Sequence, residues 1–305
     1  MSEVSGDPDF QVAAVTYPRE DLPAPKPALR PPYDGSAPTA PSLEREKLML
    51  QLSDGQWSSL FNVFSFGLIS MLACTVFTLV SQSRVLPKYR AALVMSSMVT
   101  FIAGYHYWRI FNSFEGSSKG NAVTIGTAQG AFNEAYRYVD WILTVPLLLV
   151  EVIAVLALAR QASKSLMTRL VPASAAMIIL GYPGEISTVT SEKVIWGVLS
   201  TLPFLYILWV LFIELTKSLG NQPEGVAATV SRLRLLLIGT WGVYPISYLI
   251  PMIITNPTAT EAAGLFTARQ VGYTVADVLA KCVFGLTIYK IARMKSAAEG
   301  MAESH

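Results

Sequence analysis

The chain has 305 residues, 52% of them hydrophobic and only 14% charged, whereas a soluble domain carries roughly 25% charged residues. The formal net charge of +2 is too small to suggest nucleic acid as a partner. Two cysteines, Cys74 and Cys282, each lie inside an apolar run and form neither a zinc spacing nor a disulfide framework, so no metal site is expected.

Residues 1–50 are interrupted by prolines 8, 18, 23, 25, 27, 31, 32, 38 and 41. Such a segment buries too little apolar surface to offset its ordering entropy and is expected to be disordered or extended. It lacks the basic and apolar regions of a cleavable signal peptide. Its end, Leu43 to Leu50, is a short amphipathic patch, read either as lying on a membrane surface or as a solvated linker.

Seven apolar segments follow, at roughly 57–82, 91–112, 132–159, 165–183, 193–216, 231–254 and 268–293. About 20 apolar residues cross a bilayer at about 1.5 Å per residue, and the connections are short. Residues 51–296 are therefore predicted to be one all-α, seven-transmembrane-helix bundle in the cell membrane, followed by a short tail, 297–305. Alternate connections hold Arg84, Lys88 and Arg90, then Arg160, Lys164 and Arg169, then Lys217, Arg232 and Arg234; the last segment ends in Lys290, Arg293 and Lys295. The other loops carry only Lys119, Lys193 and Arg269. This bias puts the N-terminus outside and the C-terminus in the cytoplasm.

The first segment, with Cys74, reads as packing. The second ends in GYHYWRIFNSF and carries His106 inside the membrane, either as a satisfied hydrogen-bonding group or as a functional one. In the loop 113–131, NAVTIGTAQG reads as a short outer hairpin. The third segment, NEAYRYVDWILTVPLLLVEVIAVL, bears Arg137, Asp140, Thr144 and Glu151. At 100° per residue Thr144 lies about 40° from Asp140 and Glu151 about 20° from it, with the two carboxylates about 16 Å apart along the axis. Buried charges must be paired or neutralised, so these are stations of a proton relay or members of a packing ion network. Pro146 is expected to bend this helix.

GYPGE, 181–185, reads as an outer turn. In the fifth segment Gly197, beside Trp196, leaves a notch for a flat group or for close helix contact. In the sixth, WGVYP sets Trp241 and Tyr244 on one face next to Pro245, a wall for a long apolar ligand or ordinary core. The seventh, VGYTVADVLAKCVFGLTIYKIAR, holds Asp277 and Lys281 at i,i+4 on one face. They form a structural ion pair, or Lys281 is an amine used covalently with Asp277 as counter-ion.

RYVDWILTVPLLLVE, WGVYP and DVLAK, in this order on helices three, six and seven, resemble the microbial (type I) rhodopsins over about residues 53–296. GYHYWRIFNS, GYPGEIS and IWG bring the resemblance nearest to proteorhodopsins and their xanthorhodopsin-like group. The resemblance implies that Lys281 holds all-trans retinal as a protonated Schiff base, with Asp140 and Asp277 as counter-ions near Arg137. Trp141, Trp241 and Tyr244 would clamp the polyene. Asp140 would accept the proton, held by Thr144 and partnered by His106, and a protonated Glu151 would resupply it. The implied function is light-driven outward proton transport, ion translocation rather than enzymatic catalysis.

Within such proteins, chloride pumps lack an acid at the first of the three positions Asp140, Thr144 and Glu151, and sodium pumps carry Asn, Asp and Gln. Both carboxylates here favour protons. A sensory photoreceptor is the alternative, although such proteins usually lack the donor. Leu148 matches a position where Leu goes with green absorption. Gly197 matches the glycine that makes room for a carotenoid ring in xanthorhodopsin-like members, so a xanthophyll antenna is an expected second ligand. Homo-oligomers are common among such proteins. Arg269 stands where haloarchaeal pumps have an acidic proton-release residue, which leaves the exit route open.

Overall fold

A computed structural model describes residues 48–300 apart from 127, 128, 188, 221, 224, 255 and 256. Seven rods cross the bundle. They are α1 (Asp54–Val80), α2 (Pro87–Ser117), α3 (Tyr136–Leu156), α4 (Arg160–Ile186) and α5 (Thr190–Leu219), then two composite rods. The sixth is α6 (Val226–Trp241) continued by α7 (Val243–Ile253); the seventh is α8 (Ala259–Asp277), a π turn (Val278–Val283) and α9 (Phe284–Ala298).

Six of these rods are long and apolar enough to cross a membrane by length and hydropathy alone. The exception is α2, whose polar side chains turn inward: Ser97 bonds Thr78 at 2.7 Å and Thr100 bonds Thr75 at 2.8 Å, both on α1. Large apolar side chains such as Phe66, Ile69, Leu202 and Trp209 cover the outside, as lipid contact requires. This is a multi-pass membrane protein. The most apolar stretches of α3 and of the seventh rod are 61% buried, those of the other four apolar rods 22–33%, so the rods with the carboxylates and Lys281 form the centre.

The break between α6 and α7 has a local cause. Pro245 lacks an N–H and its ring crowds the carbonyl four residues back, that of Trp241. The π turn around Lys281 contains no proline, and nothing in its sequence marks it; such turns recur at functional sites.

Two expectations need correcting. GYPGE is not a turn: α4 runs through Pro183 to Ile186. Gly181 and Gly184 there face Tyr138, Ser200, Trp196 and Tyr248 closely, and that interhelical packing keeps the segment helical. The hairpin forms earlier than expected. β2 (Ser118–Lys119) turns through Gly120, at φ 59°, into β3 (Ala122–Ile125), instead of NAVTIGTAQG folding on itself. The other edge of β3 pairs antiparallel with β1 (Leu48–Gln51), so the last residues of the amphipathic patch are a strand with Leu50 opposite Val123. The rest of that patch, and the proline-rich stretch, lie outside the described residues.

Candidate functional site

Lys281 is the centre of the buried polar site. Its Nζ lies 2.7 Å from Asp140 Oδ2 on α3 and 2.7 Å from Asp277 Oδ1, one turn back on its own rod. All three side chains are nearly inaccessible. Desolvating these charges is costly, and mutual pairing with further hydrogen bonds offsets it.

The two carboxylates differ in how fully they are satisfied. Asp277 Oδ1 also accepts from Tyr244 at 2.8 Å, and its Oδ2 accepts from Tyr107 at 2.8 Å and from Arg137 Nη1 at 3.4 Å. Asp140 accepts from Lys281 alone, and its Oδ1 has no hydrogen-bond partner among the described residues. His106 lies beside it, Nδ1 3.9 Å from Asp140 Oδ1, but that nitrogen is 3.0 Å from the Ile102 carbonyl and bonds there. The Thr144 hydroxyl donates to the main-chain carbonyl of Asp140 at 3.0 Å, so it braces the helix rather than the carboxylate.

Arg137 lies between the rings of Tyr107 and Tyr273, with guanidinium-to-centroid distances of 5.7 and 5.1 Å. Its Nη2 donates to Gln270 at 2.9 Å, and Gln270 in turn donates to Glu134. Arg269 bridges Glu134, at 3.5 Å, and Glu185. A continuous chain of polar groups, buried from Asp277 to Gln270 and half-buried at Glu134, Arg269 and Glu185, therefore runs toward the end of the bundle that carries the sheet.

On the other side of Lys281 the surroundings are apolar. Glu151 is fully buried and neither carboxyl oxygen has a hydrogen-bond partner among the described residues. Its polar neighbour is Ser96 on α2, whose hydroxyl is likewise unpartnered.

A cavity with about 860 Å³ of space, its open mouth included, reaches Lys281. Trp141, Leu148, Trp241 and Tyr244 line it, and Met177 and Phe204 extend the wall. Its far part meets Gly197. A Cβ added there would come within 2.8 Å of the Tyr248 ring, whose hydroxyl donates to the Lys193 carbonyl at 2.7 Å. The glycine notch thus accommodates a tyrosine.

The candidates read from sequence converge on this site except Glu151, which sits apart on the same helix face. Sequence reasoning missed Tyr107, Gln270, Tyr273, Glu134 and Glu185. Gln270 had a legible signal, since it stands seven residues before Asp277 on the same face. Tyr107, on another helix, had none beyond its place next to His106.

A sequence profile of bacteriorhodopsin-like proteins matches residues 60–294. The chain is 29% identical over 236 residues to the green-light absorbing proteorhodopsin of Gamma-proteobacterium EBAC31A08, covering 76% of this chain and 87% of that protein. It is 34% identical over 175 residues to the bacteriorhodopsin of Halobacterium salinarum, covering 56% and 62%. Among solved structures, xanthorhodopsin, described as a light-driven ion pump with dual chromophore, superposes with a TM-score of 0.75 at 44% identity, over 84% of this chain and all of that one. A thermophilic rhodopsin gives 0.76 at 40% identity, over 83% and all of its chain.

Proposed function

The chain belongs to the bacteriorhodopsin-like protein family, and on that premise we propose that it is a light-driven outward proton pump carrying retinal on Lys281. The residues fit such a group: a cavity walled by aromatic side chains is lined by a buried amine that has two carboxylates beside it. Trp141, Trp241, Tyr244 and Leu148 would hold the polyene. Retinal bound covalently at Lys281 Nζ would supply light absorption and the isomerisation that drives the cycle.

The proton steps follow from the unequal carboxylates. Both Asp277 oxygens are occupied by donors, four in all, so Asp277 stays an anion opposite Lys281 and Arg137. Asp140 Oδ1 has no donor among the described residues, and a proton leaving Lys281 Nζ goes to Asp140. That inequality is the observation that carries the reading. Once Asp140 is neutral, Asp277 is the one carboxylate left charged beside Lys281, and Arg137, bonded to Asp277, would pass the change through Gln270 toward Glu134. Glu151, fully buried and without a hydrogen-bond partner among the described residues, keeps its proton until Nζ needs one, then supplies it from the cytoplasmic side. In this orientation the sheet end faces outside. A xanthophyll docking over Gly197 would feed excitation to the same cavity, with Tyr248 moving aside.

The deciding measurement is external pH in a suspension of cells making the protein with added all-trans retinal, in light and in darkness. The expected result is acidification in light that a protonophore abolishes. A coloured protein without any pH change would replace the pump by a sensory photoreceptor, and absence of colour would remove Lys281 as the attachment site.

A further inference from the structure

At the bundle end opposite the sheet lies a buried lysine that the proton steps above do not use. Lys295, on α9, donates from Nζ to two main-chain carbonyls of α3, Val155 O at 3.2 Å and Leu156 O at 3.0 Å. These belong to the last turn of α3, which the chain leaves through Ala157 at φ 50°. Carbonyls there have no N–H four residues further on, and an ammonium from another helix takes that place.

The location gives this cap its meaning. Val155 follows Glu151 by four residues, so it stands on the same face of α3, about 6 Å nearer that end. Leu93, Val155, Ile288, Ile291 and Ala292 belong to the apolar cluster of this half and are completely buried. As an apolar plug, these side chains offer a proton no hydrogen-bonded relay. Whatever refills Glu151 from that side therefore requires the plug to part.

The ties of α9 are unequal. Ser296 accepts from the Leu86 amide at 2.9 Å, Arg293 donates to the Arg84 carbonyl at 3.1 Å, and Tyr89 donates to Glu299 at 2.5 Å. All three fasten the end of the seventh rod to the region joining α1 and α2. Among the described residues, only the two Lys295 bonds fasten α9 to α3.

We propose that Lys295 is a positioning residue for proton uptake: its bonds to the end of α3 hold shut the passage from the cytoplasm to Glu151, and their release admits the proton that refills it. This inference rests on the reading of Glu151 as the donor.

The test uses the full chain with retinal in lipid vesicles, as wild type, K295M, K295Q and K295R, with E151Q alongside. The first readout, made in the dark, is hydrogen–deuterium exchange of the Glu151 carboxyl, followed by its infrared C=O band. The second is flash-induced proton uptake seen by a pH dye, next to the reprotonation of Lys281 Nζ. Both K295M and K295Q should exchange about tenfold faster or more, the effect of removing about 1.4 kcal/mol from a local opening, with uptake accelerated likewise. K295R, which still donates to both carbonyls, should remain near wild type, and all three should keep the absorption maximum and the Nζ reprotonation rate. Unchanged exchange and uptake in whichever of K295M and K295Q binds retinal would overturn the proposal, as would failure of both to bind it, since the lysine would then be a folding element. If E151Q reprotonates Nζ at the normal rate, the donor assignment fails instead, a result separate from the exchange measurement.

Discussion

Tyr107 on α2 donates its hydroxyl to Asp277 Oδ2 on α8 at 2.8 Å, and the contact depends on a glycine of a third helix. A Cβ on Gly67 of α1 would come within 2.6 Å of the Tyr107 ring, so any larger residue there would push the tyrosine off its partner. Three helices therefore cooperate to satisfy one carboxylate.

Y107F should leave Asp277 short of a donor and Arg137 short of a neighbour. A hydrogen bond to a buried charge contributes about 1.5–3 kcal/mol, and the variant should lose stability on that order. The midpoint of thermal bleaching measures it, and G67A should shift the midpoint in the same direction.

D140N removes the carboxylate that has room for the proton while leaving Asp277 and its donors intact. Light-driven acidification should fall by about 10²-fold or more, the lower range for loss of a positioned proton acceptor. The absorption band should move to longer wavelength, because a counter-charge to the positive nitrogen is gone. Initial pumping rate and the dark spectrum check the two expectations.

E151Q should slow reprotonation of Lys281 Nζ and leave the colour nearly unchanged, since Glu151 lies about 16 Å from Asp140 along α3. Flash photolysis reports the first and the dark spectrum the second. A large colour shift with normal recovery would mean that Glu151 acts elsewhere.

G197W should abolish any carotenoid contribution to the excitation spectrum, because the indole would fill the space now shared with Tyr248. With a hydroxylated carotenoid added, wild type should show its bands in the excitation spectrum and the variant should not. Absence of those bands in wild type would remove the antenna from the proposal.

Glu299 lies beyond the last helix, where bonds from Lys88 and Tyr89 hold its carboxyl below the ordinary glutamate range. A depressed folded-state value means that the stabilisation is present above the unfolded-state value, about 4.3, and is lost as pH falls through the lower folded-state one. Protection of the amides near residue 296 against hydrogen exchange should therefore weaken below about pH 4 in wild type. E299Q should lack that pH-dependent step.

Much of this arrangement could be read from residue spacing. The seven crossings follow from the lengths of the apolar runs, and the shared face of Asp140 and Glu151, the one-turn separation of Asp277 and Lys281, and the aromatic wall of Trp241 and Tyr244 follow from the 3.6-residue repeat; both are properties of one helix at a time. Only the tertiary structure decided which groups on different helices meet. The four donors of Asp277, the Asp140 oxygen without a partner among the described residues, Gln270 between Arg137 and Glu134, and Lys295 on the end of α3 depend on the rotation and depth of neighbouring rods. Those are fixed by packing of the whole bundle. For the same reason GYPGE became helix rather than turn, the hairpin register moved to Ser118–Ile125, and the π turn at Lys281 carried no mark in its own residues.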